Sequence, residues 1–234
     1  MTGASRGIGR AIAHTLGEEG FALTATSRQE ANLMSAVEEL RAAGYTVEPV
    51  LADLGAEDDI KRVVQTHRDT YGRLDVLVNN GGMGIYGSLE NIPTKHVDLQ
   101  LSVNLRAMIL MYRECWDLLK TSGAETRNAL VVNTSSITGK SGSGGLAVYS
   151  ATKHGIVGFT QAMNDELRAH GVKSCVLCPG FVDTSLSDYA KGDVNPEDMI
   201  RPEDLGEAVR MLLRISGQAL VPEIILTGVG DIHL

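Results

Sequence analysis

What the 234-residue chain is short of narrows its class before any motif is read. Positive charge is one shortage: 21 Lys and Arg face 29 Asp and Glu, a formal net charge of -8. Such a surface repels phosphate backbones, so nucleic acid is not an expected partner. Cysteine is another, because three residues, an odd number, do not suggest a disulfide framework. Cys175 and Cys178 have a Cys-x-x-Cys spacing, but they lie inside the apolar run that begins at Val172 and no second ligand pair exists. They read as strand residues, and no metal site is expected. No apolar run reaches the roughly 18 residues of a membrane span. No basic-then-apolar leader opens the sequence, so a reducing cytoplasm is the expected compartment. Repeats, linkers and a second composition zone are absent too. What remains is 43% apolar, which argues against disorder and suffices for the core of one domain.

Apolar runs with strand character alternate with helical patterns along the chain. Candidate strands are Phe21–Ser27, Val47–Leu51, Leu74–Val78, the run from Ala129, the run around Cys175 and Glu223–Thr227. Candidate helices cover about 30–43, 57–71, 93–119, 149–169 and 202–215, with Gly44, Gly72 and Gly171 as stops. A further helix follows Gly9, where Ile8, Ile12 and Leu16 recur every four residues. This alternation predicts an α/β, doubly wound, Rossmann-like domain: one parallel sheet covered by helices on both faces. Ligands of such sheets bind beyond the carboxyl ends of the strands. Gly3, Arg28, Asp53, Asn79, Ser136 and Pro179 all fall at those ends.

Residues 2–9 read Thr-Gly-Ala-Ser-Arg-Gly-Ile-Gly, a Gly-x-x-x-Gly-x-Gly turn at the start of a helix. Gly3, Gly7 and Gly9 let the backbone turn tightly and approach a pyrophosphate at the helix N-terminus. Tyr149 and Lys153 are four residues apart, hence on one helical face. A phenol has a pKa of roughly 10. A neighbouring ammonium favours the phenolate and brings it toward working pH as a general acid/base. Ser136, at the end of a strand run, would aim a hydroxyl at the same place. His154 follows Lys153 but points about 100° away on a helix, so it reads as surface or interface.

Taken together these motifs resemble the short-chain dehydrogenase/reductase family over nearly the whole length, nearest in look to the 3-oxoacyl carrier-protein reductase type. Thr-Gly-x-x-x-Gly-x-Gly stands at 2–9. Asp53 follows the third strand of that family, where adenine is contacted. Asn79-Asn80-x-Gly82 follows the fourth, with Gly81 where the family usually has Ala. Asn104, Ser136, Tyr149 and Lys153 match the catalytic tetrad, and Pro179-Gly180 with Thr184 match the segment flanking the nicotinamide. The resemblance implies hydride transfer between a nicotinamide and a carbonyl or carbinol carbon. Tyr149 would be the proton donor or base, Lys153 would lower its pKa and hold the ribose, Ser136 would bind the substrate oxygen, and Asn104 would anchor a water that links Lys153 to solvent. It also implies cofactor contacts from Ser5, Ile8, Leu54 and Val182. Residues 185–200 would form a short, mostly polar substrate lid. The long helix from residue 93 pairs subunits in this family, so a homodimer or homotetramer is implied. Met108, Met111 and Trp116 read equally well as that interface or as core.

Cofactor choice follows from an absence. A carboxylate after the second family strand would hydrogen-bond the 2′-hydroxyl of NAD and repel a 2′-phosphate. Here Ser27-Arg28 stand there, and Arg6 could approach from the other side, so NADP(H) is expected. The partner is then a small carbonyl or alcohol substrate. In this fold a central strand precedes the glycine turn, yet only Met1 precedes Thr2. The expectation is a gap, a shifted strand or a borrowed strand in the sheet, a poorly supported cofactor turn, and a natural chain that extends upstream. That gap also keeps open an alternative, a catalytically weak dinucleotide-binding sensor or scaffold. The related nucleotide-sugar epimerases are more distant, since they carry a sizeable C-terminal substrate region.

Overall fold

A computed structural model describes residues 1–190 and 194–228. Helices and strands alternate as α1 (Gly7–Glu18), β1 (Leu23–Ser27), α2 (Glu30–Ala42), β2 (Val47–Leu51), α3 (Glu57–Tyr71), β3 (Val76–Asn79) and α4 (Thr94–Gln100). A π turn (Leu101–Arg106) joins α4 to α5 (Ala107–Thr126), and β4 (Ala129–Thr134), α6 (Ala147–Leu167), β5 (Val172–Pro179), α7 (Pro202–Arg214) and β6 (Glu223–Leu226) follow. Every strand pair among the described residues is parallel. Strands β4 and β5 are buried along their whole length because both of their faces are covered.

Two cores result. On one face α3, α5 and α6 bury Ile60, Met111, Leu119 and Leu167 against the sheet; on the other α1, α2 and α7 bury Ile12, Leu40 and Leu205. Cys178 belongs to the first core and Cys175 to the second, as an odd step along a strand requires. Burial pushes these thiols up to about 11 and about 12 respectively. Met108 and Met111 are buried, and Trp116 packs partly buried against the same core, which decides between interface and core in favour of core. The helix expected over 93–119 runs on to Thr126 and is interrupted by one π turn, whose extra residue a 3.6-residue pattern does not register.

The sheet is divided. β1 and β2 form one portion and β3–β4–β5–β6 the other. Between them, among the described residues, Thr2 alone makes bridges, one to Thr26 and one to Asn79. Thr2 N–H donates to Val78 O at 2.9 Å, Thr26 N–H to Met1 O at 3.1 Å, and the Met1 amino group to Thr24 O at 2.7 Å. The gap is therefore present, but the turn above it is better supported than expected. Thr2 Oγ1 accepts from the Asn80 and Gly81 N–H groups at 3.0 and 2.9 Å, and Ala4 N–H donates to Thr26 O at 3.2 Å. One hydroxyl and a few main-chain bonds thus tie the turn to both portions.

Candidate active site

The carboxyl ends of the strands open into a cleft of about 1120 Å³. The glycine turn forms one wall. Gly3, Ser5, Arg6, Gly7 and Ile8 line it, with Arg6 as the N-cap of α1. Gly7 has φ 51°, and a methyl built on it would lie 2.8 Å from Thr184 Cγ2. Gly9 does not reach the cleft; it packs on the Gly3 carbonyl, where any side chain would collide, and so lets α1 start close beneath the turn. Arg28, Asp53 and Leu54 line the same side. Asp53 Oδ1 also accepts from Gly55 N–H at 2.9 Å, closing the turn that leads to α3. Arg6 and Arg28 are both exposed. Glu30, the nearest acid after β1, opens α2 and does not line the cleft.

Ser136, Tyr149 and Lys153 line the other end, with Asn80 and Gly82 between. Helix α6 begins at Ala147, so Tyr149 sits in its first turn and Lys153 one turn deeper. Lys153 is buried, and burial lowers its pKa from 10.5 to about 8. Its Nζ donates to Thr134 O at 2.8 Å and lies 5.3 Å from the centroid of the Tyr149 ring. Ser135, the buried neighbour of Ser136, donates to Lys153 O at 2.8 Å and so stitches the end of β4 to α6. Ser136 Oγ accepts from Thr138 N–H at 3.2 Å, which fixes the turn carrying it. Asn104 lies beneath the cleft floor, in the π turn. Its Oδ1 accepts from Met83 N–H at 2.8 Å, and its Nδ2 donates to Met83 O at 2.8 Å and to Thr152 Oγ1 at 3.1 Å.

Pro179, Gly180, Val182 and Thr184 complete the rim beside the glycine turn. The expected lid, 185–200, is pinned at its base, where Asp183 N–H donates to Ile200 O and Ile200 N–H to Phe181 O, each at 2.9 Å. Its described parts include two short 3₁₀ turns, Ser185–Ala190 and Pro196–Asp198; residues 191–193 lie outside the described residues. His154 is exposed and donates from Nδ1 to Ser150 O at 2.9 Å, away from the cleft. Among the described residues no cluster of potential metal ligands exists.

The short chain dehydrogenase family model matches residues 1–194. The chain belongs to that family. Among the relatives of this short-chain dehydrogenase is the 3-oxoacyl-[acyl-carrier-protein] reductase FabG of Staphylococcus aureus. It is 32% identical over 203 residues, spanning 86% of this chain and 80% of the relative. An alcohol dehydrogenase from the archaeon Thermococcus sibiricus, solved with 5-hydroxy-NADP, superposes with a TM-score of 0.90 at 27% identity, over 100% of this chain and 97% of that one. A single-residue variant of the actinorhodin polyketide ketoreductase, solved with NADPH, gives 0.87 at 29% identity over 97% of this chain and 94% of that one. Sequence reasoning passed over Tyr86, Leu146 and Phe181, which also line the cleft, and Gln100 beneath it. Tyr86 and Phe181 left a signal as scarce aromatics beside glycines at strand ends; Gln100 left one only as a second amide a helical turn before Asn104.

Proposed function

We propose that this short-chain dehydrogenase is an NADP(H)-dependent oxidoreductase that interconverts a ketone and a secondary alcohol, with a 3-oxoacyl group as the favoured substrate class. The observation that carries this is the convergence of Tyr149, Lys153 and Ser136 on one end of a cleft whose other end is a glycine turn. The residues present fit a dinucleotide: the turn leaves no room for side chains at Gly7 and Gly9, and it presents the start of α1 to the cleft, where an anionic pyrophosphate is favoured. Gly3, Ser5, Arg6, Gly7 and Ile8 would hold the pyrophosphate end, and Arg6 with Arg28 the 2′-phosphate. Asp53, Leu54 and Asn80 would border the adenosine, and Gly82, Pro179, Gly180, Val182 and Thr184 the nicotinamide side. When bound, that cofactor supplies or accepts the hydride.

The chain's own residues do the rest. Ser136 Oγ holds the substrate oxygen and stabilises charge that develops on it. Tyr149 Oη delivers the proton to that oxygen in reduction and removes it in oxidation. The Lys153 ammonium stands beside the ring and favours the phenolate left behind. Asn104 spends its amide on Met83 and Thr152, so it acts by holding the cleft floor against α6. Its main chain remains the route to a water serving Lys153. The test is NADPH oxidation with a ketone panel that includes ethyl acetoacetate, run beside NADH. Turnover with NADPH in clear preference to NADH is expected; no turnover of any ketone contradicts the reading.

One observation favours a second reading. The glycine turn sits on the divided part of the sheet, which suits a protein that binds the dinucleotide with little catalysis. Tight NADPH binding without turnover on any panel member would select it.

A further inference from the structure

Gln100 ends α4 and is completely buried, an unusual place for an amide side chain. Buried polar groups need partners. Its Nε2 donates to His96 O at 3.3 Å, which stays within its own helix. Its Oε1 accepts from the Ile85 N–H at 3.1 Å, which does not: Ile85 stands between Gly84 and Tyr86, which both line the cleft. Together with Asn104, which holds Met83 by both its N–H and its carbonyl, Gln100 fastens this segment from below.

The neighbours of Ile85 make the fastening consequential. Gly84 lies against the Tyr149 ring; a methyl built on it would sit 3.6 Å from a ring carbon. Tyr86 reaches the opposite rim, where its ring fills the space that a Gly145 side chain would need. Gly145 has φ 75°, and its carbonyl accepts from Gly87 N–H at 2.9 Å. The segment therefore runs from the ring of Tyr149 to the loop that precedes α6. Gly84 and Tyr86 line the cleft, and Gln100 holds the residue between them.

We propose that Gln100 is a positioning residue that sets where Gly84–Tyr86 stands over Tyr149, and that Tyr86 is the specificity wall it presents. Together they select the size of a ketone and the face it offers. This rests on reading the cleft as a ketone site. A side chain that is itself tethered to His96 holds Ile85 more rigidly than water could, because both ends of the amide are fixed. Without it the Ile85 N–H loses its partner and the segment moves away from Tyr149.

The test uses the full chain. Backbone hydrogen exchange across 83–87 is measured for the wild type, Gln100→Met and Gln100→Glu. Each is also assayed with NADPH on ethyl acetoacetate and on the bulkier ethyl benzoylacetate, and the enantiomer ratio of the hydroxy ester is recorded. Gln100→Met should speed exchange at Ile85 by about tenfold, the loss of one hydrogen bond. It should lower the enantiomer ratio severalfold and raise relative turnover of the bulky ketone through KM, with NADPH affinity unchanged. Gln100→Glu keeps an oxygen for Ile85, and only its protonated carboxyl can still donate to His96 O, so its exchange and selectivity should approach wild type at low pH and move toward those of Gln100→Met as pH rises. Tyr86→Ala should reproduce the selectivity change without the exchange change. Unchanged selectivity in Gln100→Met overturns the proposal, even if exchange rises. So does wild-type exchange at Ile85 as fast as at an unstructured amide, a result available even if Gln100→Met does not fold. A wild type that reduces neither ketone contradicts the functional reading, while the exchange pattern still decides whether Gln100 holds the segment.

Discussion

The two portions of the sheet are built to different standards. Strands β3–β6 form an unbroken parallel ladder, and Ser136, Tyr149 and Lys153 are carried by that ladder or by the helix packed on it. Strands β1 and β2 pair with each other, and among the described residues Thr2 alone bridges them to the rest. The glycine turn, Arg28 and Asp53 hang on that side. The groups proposed to move a proton and those proposed to border the nicotinamide therefore stand on continuous structure, whereas the glycine turn, Arg28 and Asp53, proposed to grip the phosphate and adenosine end, stand across a seam. Chemistry and cofactor grip should be separable by substitution, because the ladder that joins the two portions narrows to Thr2.

Tyr149→Phe should have the largest effect. The ring and its packing stay, and the transferable proton goes. Turnover should fall by about 10²- to 10⁴-fold with NADPH affinity nearly intact, read by steady-state kinetics and a binding titration. Lys153 comes next and carries a pH signature. Its pKa is lowered from 10.5 to about 8 in the folded chain, so between these values the unfolded chain binds the proton and the folded chain does not. Stability should then rise with pH across this window, and below pH 8 the full cost of a buried ammonium is present. Denaturant unfolding of wild type against Lys153→Met should show the difference moving toward the wild type by about 3 kcal/mol from pH 8 to 10.5. A flat difference would mean that Lys153 is solvated in the folded chain.

Smaller effects are expected on the nucleotide side. Arg28→Ala should reduce the preference for NADPH over NADH by about 1.5–3 kcal/mol, the range of a hydrogen bond to a charged group. Equal loss with both cofactors would place Arg28 outside the 2′-phosphate site. Thr2→Val keeps the shape of the side chain but leaves the Asn80 and Gly81 N–H groups without their acceptor. It should weaken NADPH binding by about 1–2 kcal/mol. Light scattering above 25.0 kDa would bear on the oligomer implied by the family, for which Leu101 and Ile109 on the α4–α5 face are exposed.

Much of this architecture was legible because its signals are local. Apolar runs between glycine stops marked the strands, and a four-residue spacing put Tyr149 and Lys153 on one face. What was not legible depends on the path of distant segments. Gln100 looks like an ordinary polar residue on an amphipathic helix until 83–87 folds over it. The π turn that carries Asn104 differs from an α-helix by one residue, too little to disturb a hydrophobic period. The support under the glycine turn arises from Thr2 Oγ1 meeting two N–H groups nearly eighty positions away, which no spacing rule reports. Whether Met108 and Met111 faced a partner or the core depended on where α5 docks.

The separation of the two portions is tested most directly by measuring kcat and the NADPH dissociation constant on the same preparations of wild type, Tyr149→Phe and Thr2→Val. The expected result is a crossed pattern: Tyr149→Phe loses turnover and keeps affinity, while Thr2→Val loses affinity and keeps turnover at saturating NADPH. If both variants lose turnover and affinity together, the seam does not divide the molecule and the account is wrong.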